Sequence, residues 1–390
     1  MRVMVLGGTR FIGAAIVEEL VAYGHELLVV HRGEHEPADL AEGSGEPHDG
    51  PAGSGSGPWS AAGAGEPQGG APVDRPEGAG EPQGGAPVDR PEGTGEPQGG
   101  APVDREVDHL HAERQDLPHL RGPVDEFAPE AVVDNCAYSA ADAETALAAI
   151  GDDVRLLVVS SMDVYRAFGA VLAGTETDPL PVDETSPVRP ERFPYRGRPH
   201  PSPDADTYEK LDVEAAYLAR EATVCRLPMV YGERDHQRRE EPILRRVRAG
   251  RERIPAGAGG WLWTRGYVRD VAAGIRLALE SDACVAEILN LGEARTWSMG
   301  LWARHVLEAA GSKAELTRVP DVLLPDDLEA LGSISQHLLV DSGKARDLLG
   351  WTETDPHEAL HRSVAWHLAN PPQDAAADFG ADDRALAAAG

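Results

Sequence analysis

The stretch Val3-Met4-Val5-Leu6-Gly7-Gly8-Thr9-Arg10-Phe11-Ile12-Gly13 decides the fold. Its first four residues are an apolar run, which predicts a short strand buried on both faces. Apolar side chains then recur at helical spacing over residues 12–23, and Gly24 follows as expected at a helix C-terminus. A second apolar run occupies residues 27–30. Strand, glycine turn, helix and strand in this order predict a βαβ unit.

The glycine turn of this unit stands where a phosphate-binding turn is found. Glycines there permit a tight turn and a close approach of the backbone to a pyrophosphate, while the helix N-terminus stabilises the anion. The alternative is that the glycines serve only the turn. We expect a dinucleotide to be bound by Gly7, Gly8, Thr9, Arg10, Phe11, Ile12 and Gly13.

Residues 34–105 interrupt the pattern with a segment rich in glycine, proline and acidic residues. From Gly63 onwards a 15-residue unit, GAGEPQGGAPVDRPE, recurs with few changes. Each unit contains one valine and no other large apolar side chain, so stacking of the units would bury little. The segment is predicted to be a disordered, low-complexity insertion after the second strand. A tolerated surface expansion is favoured over a binding role.

Periodic structure resumes at Val107. Further strands are predicted at 107–117 (with an exit turn), 130–134, 155–159, 222–226 and 287–291, and helices near 140–150, 207–220, 241–250, 268–280, 298–311 and 356–369. The alternation indicates an α/β fold with a doubly wound parallel sheet formed by residues 1–33 and 106–232, against which helix 268–280 packs. Residues 233–370 are expected to form a smaller, C-terminal substrate-binding lobe, and residues 371–390 a flexible tail.

Composition narrows the possible partners. The formal net charge of -30 argues against nucleic acid and anionic membrane surfaces, which require clustered positive charge. Cys136, Cys225 and Cys284 are far apart, as expected for a reducing compartment. The histidines show no metal-ligand spacing, and no signal peptide or membrane helix is recognisable. We therefore expect a cytoplasmic protein without a metal site.

Seven short motifs follow the glycine turn in order. They are Asp116-Leu117, Asp134-Asn135-Cys136-Ala137, Ser160-Ser161-Met162-Asp163-Val164-Tyr165, Arg226-Leu227-Pro228-Met229-Val230-Tyr231-Gly232, Tyr267-Val268-Arg269-Asp270-Val271-Ala272, Asn290-Leu291-Gly292-Glu293 and Leu348-Leu349-Gly350-Trp351. With the turn, they make the chain resemble the extended short-chain dehydrogenase/reductases, also called NAD-dependent epimerase/dehydratases. Its glycine segment is closest to the atypical branch of that family.

The resemblance implies a Rossmann sheet, a nicotinamide cofactor and roles for individual residues. It implies that Asp116, with Leu117, contacts adenine, and that Ser161 helps to polarise the substrate. Residues expected along the cofactor are Asn135, Cys136, Ala137, Lys210, Pro228 and Val230. Residues expected at the substrate are Met162, Tyr231, Arg245 and Arg269. A homodimer is possible by the same resemblance.

Arginines crowd the segment 238–253. In family members that use nucleotide sugars, arginines of the second lobe hold the diphosphate, and Arg245 represents this group here. The alternative is a solvated amphipathic helix.

The end of the second strand bears on the choice of cofactor. An acidic residue there would favour NAD by binding the ribose 2′-hydroxyl, but the sequence has His31-Arg32 instead. Arg10 stands in the turn, and two guanidinium groups could hold a 2′-phosphate. NADP(H) is therefore favoured and NAD(H) is possible. The alternative is that Arg10 and Arg32 are solvated surface charges.

The catalytic tyrosine departs from the family pattern Tyr-x-x-x-Lys. Lys210 matches the lysine, but Asp206 occupies the tyrosine position, and Tyr208 is only two residues from the lysine. On one continuous helix Tyr208 and Lys210 would face different sides. Asp206 should be ionised, so it could accept a proton but would be a poor donor. The alternative is that Asp206 caps the helix and pairs with Lys210. Alternatively, a different helix start could bring Tyr208 into the site, or Tyr138 or Tyr165 could supply the hydroxyl.

These observations favour an NAD(P)-dependent epimerase/dehydratase-type oxidoreductase that acts on a nucleotide sugar or similar polar metabolite. The rival hypothesis is a cofactor-binding protein without redox chemistry, acting as a sensor or scaffold, and Asp206 is its main support. An RNA-associated role is a weaker alternative, because the charge is acidic and no basic stripe is visible.

Overall fold

Short strands, most of whose residues are buried, form the centre of the molecule. The computed structural model describes residues 1–33, 107–198, 205–373 and 378–389. Its strands are β1 (Arg2–Leu6), β2 (Glu26–His31), β3 (Val107–His111), β4 (Ala131–Asp134), β5 (Arg155–Ser161), β6 (Thr223–Leu227), β7 (Met229–Tyr231), β8 (Arg253–Ala256), β9 (Arg265–Tyr267), β10 (Ile288–Asn290) and β11 (Glu315–Arg318).

Seven of these strands build one parallel sheet in the order β10-β6-β5-β4-β1-β2-β3. The strand order runs outward from β1 in both directions, so the chain reverses its winding between β1 and β4. In a doubly wound sheet the carboxyl ends of the strands at such a reversal form the ligand-binding crevice. The predicted fold class, an α/β Rossmann sheet, is confirmed. Two parallel pairs, β8 with β11 and β7 with β9, lie outside this sheet.

Helices cover both faces of the sheet. They are α1 (Phe11–Ala22), α2 (Arg121–Phe127), α3 (Ala140–Ala149), α4 (Arg166–Ala173), α5 (Lys210–Leu218), α6 (Glu241–Arg248), α7 (Val268–Glu280), α8 (Met299–Ala309), α9 (Gly343–Leu349), α10 (Pro356–Ala369) and α11 (Gly380–Ala388). Because successive strand residues point to opposite faces, Val3 and Val5 join a core shared with α1 and α7. Met4 and Leu6 join a second core with α3 and α5.

Two expectations about the C-terminal third need correction. The short strand predicted at 287–291 is β10, which pairs with β6 and completes the main sheet rather than the smaller lobe. The predicted flexible tail contains α11, and Asp382 within this helix is fully buried. All described residues belong to one compact unit, so the boundary at residues 232 and 233 remains a prediction. The predicted insertion at 34–105 lies outside the described residues.

Candidate functional site

The turn between β1 and α1 is shaped as a cradle. Gly7 has a φ of +85°, in the left-handed region that favours glycine. A Cβ atom on Gly13 would stand 2.0 Å from the carbonyl oxygen of Gly7, so the helix approaches the turn at a distance that only glycine permits. The N-cap residue of α1, Arg10, makes no side-chain capping hydrogen bond. The first turn of α1 therefore lacks the side-chain cap that would compete with an anion for its N–H groups.

The rest of the predicted turn is anchored in the core. Gly8 is buried against Val17 and Val29, while Thr9 is partly exposed. Phe11 is buried and has a φ of 33°, an unusual backbone conformation for an aromatic residue that is often found at functional turns. The rings of Phe11 and His236 make a T-shaped contact, with the ring centroids 6.1 Å apart.

Residues predicted for the adenosine end lie at the carboxyl ends of neighbouring strands. His31 ends β2, and Arg32 follows it with an exposed side chain. Asp116 is exposed in the 3-10 turn after β3, whereas Leu117 is buried beneath the same turn. The structure thus brings Arg32 and Asp116 to one edge of the sheet.

The segment after β4 lies against the glycine turn. The amide Nδ2 of Asn135 donates to the carbonyl oxygen of Gly7 over 3.2 Å. The Sγ of Cys136 would be 2.8 Å from a Cβ atom on Gly7, so this thiol closes the floor of the turn. Burial raises the pKa of Cys136 to about 12, which makes it an inert packing group. Ala137 is fully buried, and its carbonyl oxygen accepts from Lys210.

Helix α5 begins three residues later than predicted. The carboxylate of Glu209 caps the helix by accepting from the backbone N–H of Leu211, so α5 starts at Lys210. Arg189 holds this cap in place with a buried ion pair to Glu209. Tyr208 consequently lies outside the helix, and the helical-wheel argument that separated it from Lys210 does not apply. Of the alternatives raised by the sequence, the different helix start is the one the structure supports.

Tyr208 lies beside Ser161. Its hydroxyl interacts with the Ser161 hydroxyl and donates to Oδ2 of Asp163 over 2.7 Å. Burial, followed by the neighbouring Asp163, raises the pKa of Tyr208 well above its ordinary value. The phenol therefore keeps its proton at neutral pH. Ser161 itself also caps the turn at Met162 by accepting from the backbone N–H of Asp163.

Lys210 is buried under the same cluster. Its Nζ donates to the carbonyl oxygens of Ala137 at 2.6 Å and Val159 at 2.8 Å. It lies 4.9 Å from the centre of the Tyr138 ring, which in turn stacks against Tyr208. Burial lowers the pKa of Lys210. The lysine thus links the residues at the ends of β4 and β5, and its ammonium group lies close to the stacked rings of Tyr138 and Tyr208.

Asp206 is not part of this cluster, which corrects its place among the predicted catalytic residues. Its side chain is exposed, and Oδ1 accepts from the backbone N–H of Gly197 at 2.9 Å. It neither caps α5, since Glu209 does so, nor figures among the hydrogen-bond acceptors of Lys210 in the described part of the chain.

The two other candidate hydroxyls differ in position. Tyr138 is partly exposed at the rim of the cluster, stacked on Tyr208. Tyr165 is 1% exposed, and its hydroxyl donates to Oδ1 of Asn290 at 2.7 Å. Tyr165 therefore has a packing role that ties β5 to β10.

Residues predicted at the nicotinamide and substrate lie mostly in the core. Val230, in β7, is buried, and its carbonyl oxygen accepts from Arg239 at 2.7 Å. Tyr231 is buried beside Glu293, and Pro228 precedes the same strand. The Sδ of Met162 is 3.3 Å from Nε1 of Trp263, which brings the C-terminal part of the chain to the residue that follows Ser161.

The two predicted substrate arginines have partners within the protein. Arg245 pairs with Asp327 at 2.7 Å, and its neighbour Arg246 pairs with Asp327 and Asp382. The arginine-rich segment therefore ties α6 to α11 through ion pairs, and the expected diphosphate site remains a prediction. Arg269 is half exposed and contacts Glu233, beside a cavity of about 170 Å³ next to the start of α1.

Sequence reasoning missed three residues that complete the site: Asp163, Tyr195 and Trp263. Asp163 lies inside a motif that was recognised for its serines, so the signal was present but not used. Tyr195 lies in a proline-rich loop without periodicity, and only the fold brings its hydroxyl to Asp163. No described cluster of histidine, cysteine or acidic residues is arranged to hold a metal ion. Likewise, none of the described helices could cross a membrane.

Comparison with solved structures finds the same fold in other proteins. The chain is similar to a UDP-glucose 4-epimerase from Stenotrophomonas maltophila with bound NAD and formylated UDP-arabinopyranose (18% identity, 95% and 98% of the two chains covered, TM-score 0.62). It is also similar to the dTDP-glucose 4,6-dehydratase of Bacillus anthracis in complex with NAD (14% identity, 95% and 97% covered, TM-score 0.60). A third similar structure is a UDP-glucose 4-epimerase of Thermus thermophilus with NAD (20% identity, 95% and 100% covered, TM-score 0.59).

Sequence comparison adds no closer relative. No family model matches the chain, and no curated protein matches it. The structural matches extend over nearly the whole chain, which confirms the fold implied by the resemblance. At identities of 20% or less they establish the fold alone.

Proposed function

We propose that this chain is an NAD(P)-dependent oxidoreductase of the epimerase/dehydratase type, acting on a nucleotide sugar or a similar polar metabolite. The observation that carries the proposal is the position of two features at one sheet edge. The glycine cradle follows β1. The Ser161 and Tyr208 hydroxyls and the buried Lys210 lie together at the end of β5. Structural neighbours solved with NAD and a UDP-sugar support it.

The residues of the cradle fit a dinucleotide. A Cβ atom at Gly13 or Gly8 would collide with the turn or with core valines, so the glycines keep the backbone accessible to a pyrophosphate. In this proposal Asp116 and Asn135 contact the adenosine and the linking region, and Lys210 orients the nicotinamide ribose. When bound, the nicotinamide supplies a hydride acceptor or donor.

Side chains of the protein can donate hydrogen bonds and a proton to the reacting oxygen. The Ser161 hydroxyl can donate to a reacting oxygen beside it, and the Tyr208 phenol can do so once its proton leaves Oδ2 of Asp163. Both bonds would stabilise the negative charge that develops on that oxygen. Tyr208 holds its proton at neutral pH and can deliver it to that oxygen. Tyr138 stacks on Tyr208, and Nε1 of Trp263 lies 3.3 Å from the Sδ of Met162, so both rings border this cluster.

The rival hypothesis of a redox-inactive sensor rested on Asp206. Tyr208 beside Ser161 weakens that support, because a phenol is present where proton transfer is needed. Coenzyme binding without turnover across a panel of nucleotide sugars would favour the rival.

We further propose a preference for NADP(H). Arg32 is exposed at the end of β2, where a ribose 2′-phosphate would lie, and no acidic side chain follows β2 directly. Arg32→Ser should weaken NADPH binding about tenfold and leave NADH binding nearly unchanged, because only the former carries the extra phosphate. Arg304→Ser, on the exposed side of α8, is the matched control. Tighter binding of NADH than of NADPH by the wild type would contradict this preference.

The decisive experiment is direct titration of the purified protein with both coenzymes, followed by nucleotide sugars. The proposal expects calorimetric binding of at least one coenzyme and a transient change in reduced-nicotinamide absorbance with a suitable sugar. Mass spectrometry of co-purified ligands identifies which coenzyme and which substrate class to use. Absence of binding to either coenzyme at millimolar concentration would overturn the proposed function.

A further inference from the structure

Asp163 is a buried carboxylate next to the reacting hydroxyls. Only 2% of the residue is exposed. Its Oδ2 accepts from the Tyr208 hydroxyl at 2.7 Å and from the Tyr195 hydroxyl at 3.1 Å. Its Oδ1 is buried and makes no hydrogen bond to any described residue. A buried carboxylate oxygen without a donor is costly, so the position calls for an explanation.

The charges around Asp163 make the carboxylate the immediate partner of the phenol. Arg189 donates to the backbone oxygen of Asp163 at 3.0 Å and is paired with Glu209. The positive charge of Lys210 also acts on Asp163, but its Nζ donates to the backbone carbonyls of Ala137 and Val159. Tyr208 is therefore bonded to an anion, whereas in the Tyr-x-x-x-Lys pattern a neighbouring ammonium stabilises the phenolate.

We propose that Asp163 is a positioning residue that accepts a proton through Tyr208, so that the two residues act as one acid–base pair. This proposal rests on the proposed function. In the oxidative direction, the O–H bond of the substrate hydroxyl breaks and a new O–H bond forms at the Tyr208 oxygen. The original Tyr208 O–H bond breaks at the same time, and its proton forms an O–H bond with Oδ2 of Asp163. The substrate oxygen becomes a carbonyl as the hydride on its carbon passes to the oxidised nicotinamide dinucleotide.

Across this step Tyr208 begins and ends protonated, so the net change in protonation is at Asp163. Burial raises the pKa of Asp163, although Tyr208, Arg189, Lys210 and Tyr195 act in the opposite direction. A carboxyl group whose pKa is moved toward neutrality is a better proton acceptor than an exposed aspartate. The unbonded Oδ1 also raises the pKa of Asp163, because no hydrogen-bond donor stabilises the charge on that oxygen.

The pair can be tested without any turnover, by ¹³C NMR of protein labelled at the tyrosine Cζ and the aspartate Cγ. Tyr208→Phe assigns the Tyr208 signal by its loss. The proposal expects Asp163→Asn to lower the pKa of Tyr208 by about one unit or more, because the neighbouring anion is removed. Tyr195→Phe, which removes the second donor to Oδ2, should leave the pKa of Tyr208 raised.

If Asp163→Asn does not fold, a second measurement tests the same proposal. In Tyr208→Phe, the pKa of Asp163 should rise, since the carboxylate loses its shorter hydrogen bond. An unchanged pKa of Tyr208 in a folded Asp163→Asn, or an unchanged pKa of Asp163 in Tyr208→Phe, would overturn the pair.

Coenzyme titrations of the same variants separate this result from the proposed function. If coenzyme binds but the titrations of Tyr208 and Asp163 are independent, the acid–base pair is refuted and the proposed function is not. If the two titrations depend on each other, the pair is supported even when no coenzyme binds.

Discussion

Arg246 and Asp382, which are 136 residues apart in the sequence, form a two-point ion pair inside the protein. Both hydrogen bonds measure 2.7 Å, and the exposed fractions of the side chains are 0% and 1%. Arg246 belongs to α6 and Asp382 to α11, so the pair fixes the C-terminal helix to the body of the molecule. This contact explains why a helix forms where the sequence predicts a flexible tail.

Asp382→Ala should lower the free energy of unfolding by about 1.5–3 kcal/mol, because the buried guanidinium of Arg246 loses two charge-assisted hydrogen bonds and keeps those to Asp327. Urea denaturation measures the loss. Asp383→Ala is the matched control, since Asp383 pairs with Arg251 but its side chain is 63% exposed. This control should cost about 1 kcal/mol or less. Equal, small losses in the two variants would mean that α11 is not docked in solution.

Gly13→Ala should abolish the cradle. The new Cβ atom would stand 2.0 Å from the Gly7 carbonyl oxygen, and the backbone of the turn must move to relieve the collision. We expect the dissociation constant for the coenzyme to rise at least about tenfold, which corresponds to about 1.4 kcal/mol. Isothermal titration calorimetry with NADPH and NADH provides the measurement.

Gly122→Ala in α2 is the control for this substitution. A Cβ atom there meets no atom within 4 Å, so alanine should be tolerated and should favour the helix by up to about 1 kcal/mol. Coenzyme affinity should remain unchanged. Loss of coenzyme affinity in Gly122→Ala, or unchanged affinity in Gly13→Ala, would show that the coenzyme does not bind at the glycine turn.

Local signals in the sequence were sufficient for the sheet. Strands buried on both faces are continuous apolar runs, and residues 3–6 and 27–30 fall within β1 and β2. The glycine turn could be predicted for the same reason, since the φ of Gly7 and the close approach of Gly13 depend on residues adjacent in the chain.

Contacts between distant segments could not be predicted. The start of α5 depends on Glu209, which is held by Arg189 from the preceding loop, and this contact decides where Tyr208 points. A pattern of alternating residues carries no information on such a pair. For the same reason Arg245 was predicted to bind a ligand, whereas the structure pairs it with Asp327 and pairs its neighbour Arg246 with Asp327 and Asp382.

Tyr208→Phe should reduce hydride transfer by about 10²–10⁴-fold, because general acid–base catalysis by a positioned side chain contributes this much. Coenzyme binding should persist, since the ring and its stacking on Tyr138 are retained. Single-turnover measurements of reduced coenzyme with an excess of substrate give the rate.

Asp206→Ala distinguishes the two candidate positions for the acid. Asp206 is exposed and bonded to Gly197, so its loss should change the rate less than about threefold, a small fraction of the effect of an acid–base residue. A large loss in Asp206→Ala together with normal activity in Tyr208→Phe would reverse the assignment.

Glu240 introduces a pH dependence of stability. It is fully buried, and its Oε1 accepts from the Ser363 hydroxyl at 2.8 Å. Burial, followed by the charge of Asp235, raises the pKa of Glu240 to about 7 from 4.5. Between these values the folded protein keeps a proton that the unfolded chain has released, so the contribution of Glu240 to stability falls as the pH rises through this window. His367, which lies 3.6 Å away, has its pKa lowered by burial and acts with the opposite sign.

Glu240→Gln isolates the contribution of this carboxyl group, because glutamine keeps an acceptor for Ser363 and cannot ionise. We expect the variant to gain stability relative to the wild type as the pH rises from about 5 to about 8, while His367, Arg239 and Asp235 contribute to both proteins. Chemical denaturation of both proteins at several pH values gives the difference. Ser363→Ala removes the hydrogen-bond donor to Glu240. This variant should therefore lose more of its free energy of unfolding than the wild type as the pH rises. A difference between Glu240→Gln and the wild type that does not change with pH would show that Glu240 is already ionised in the folded protein.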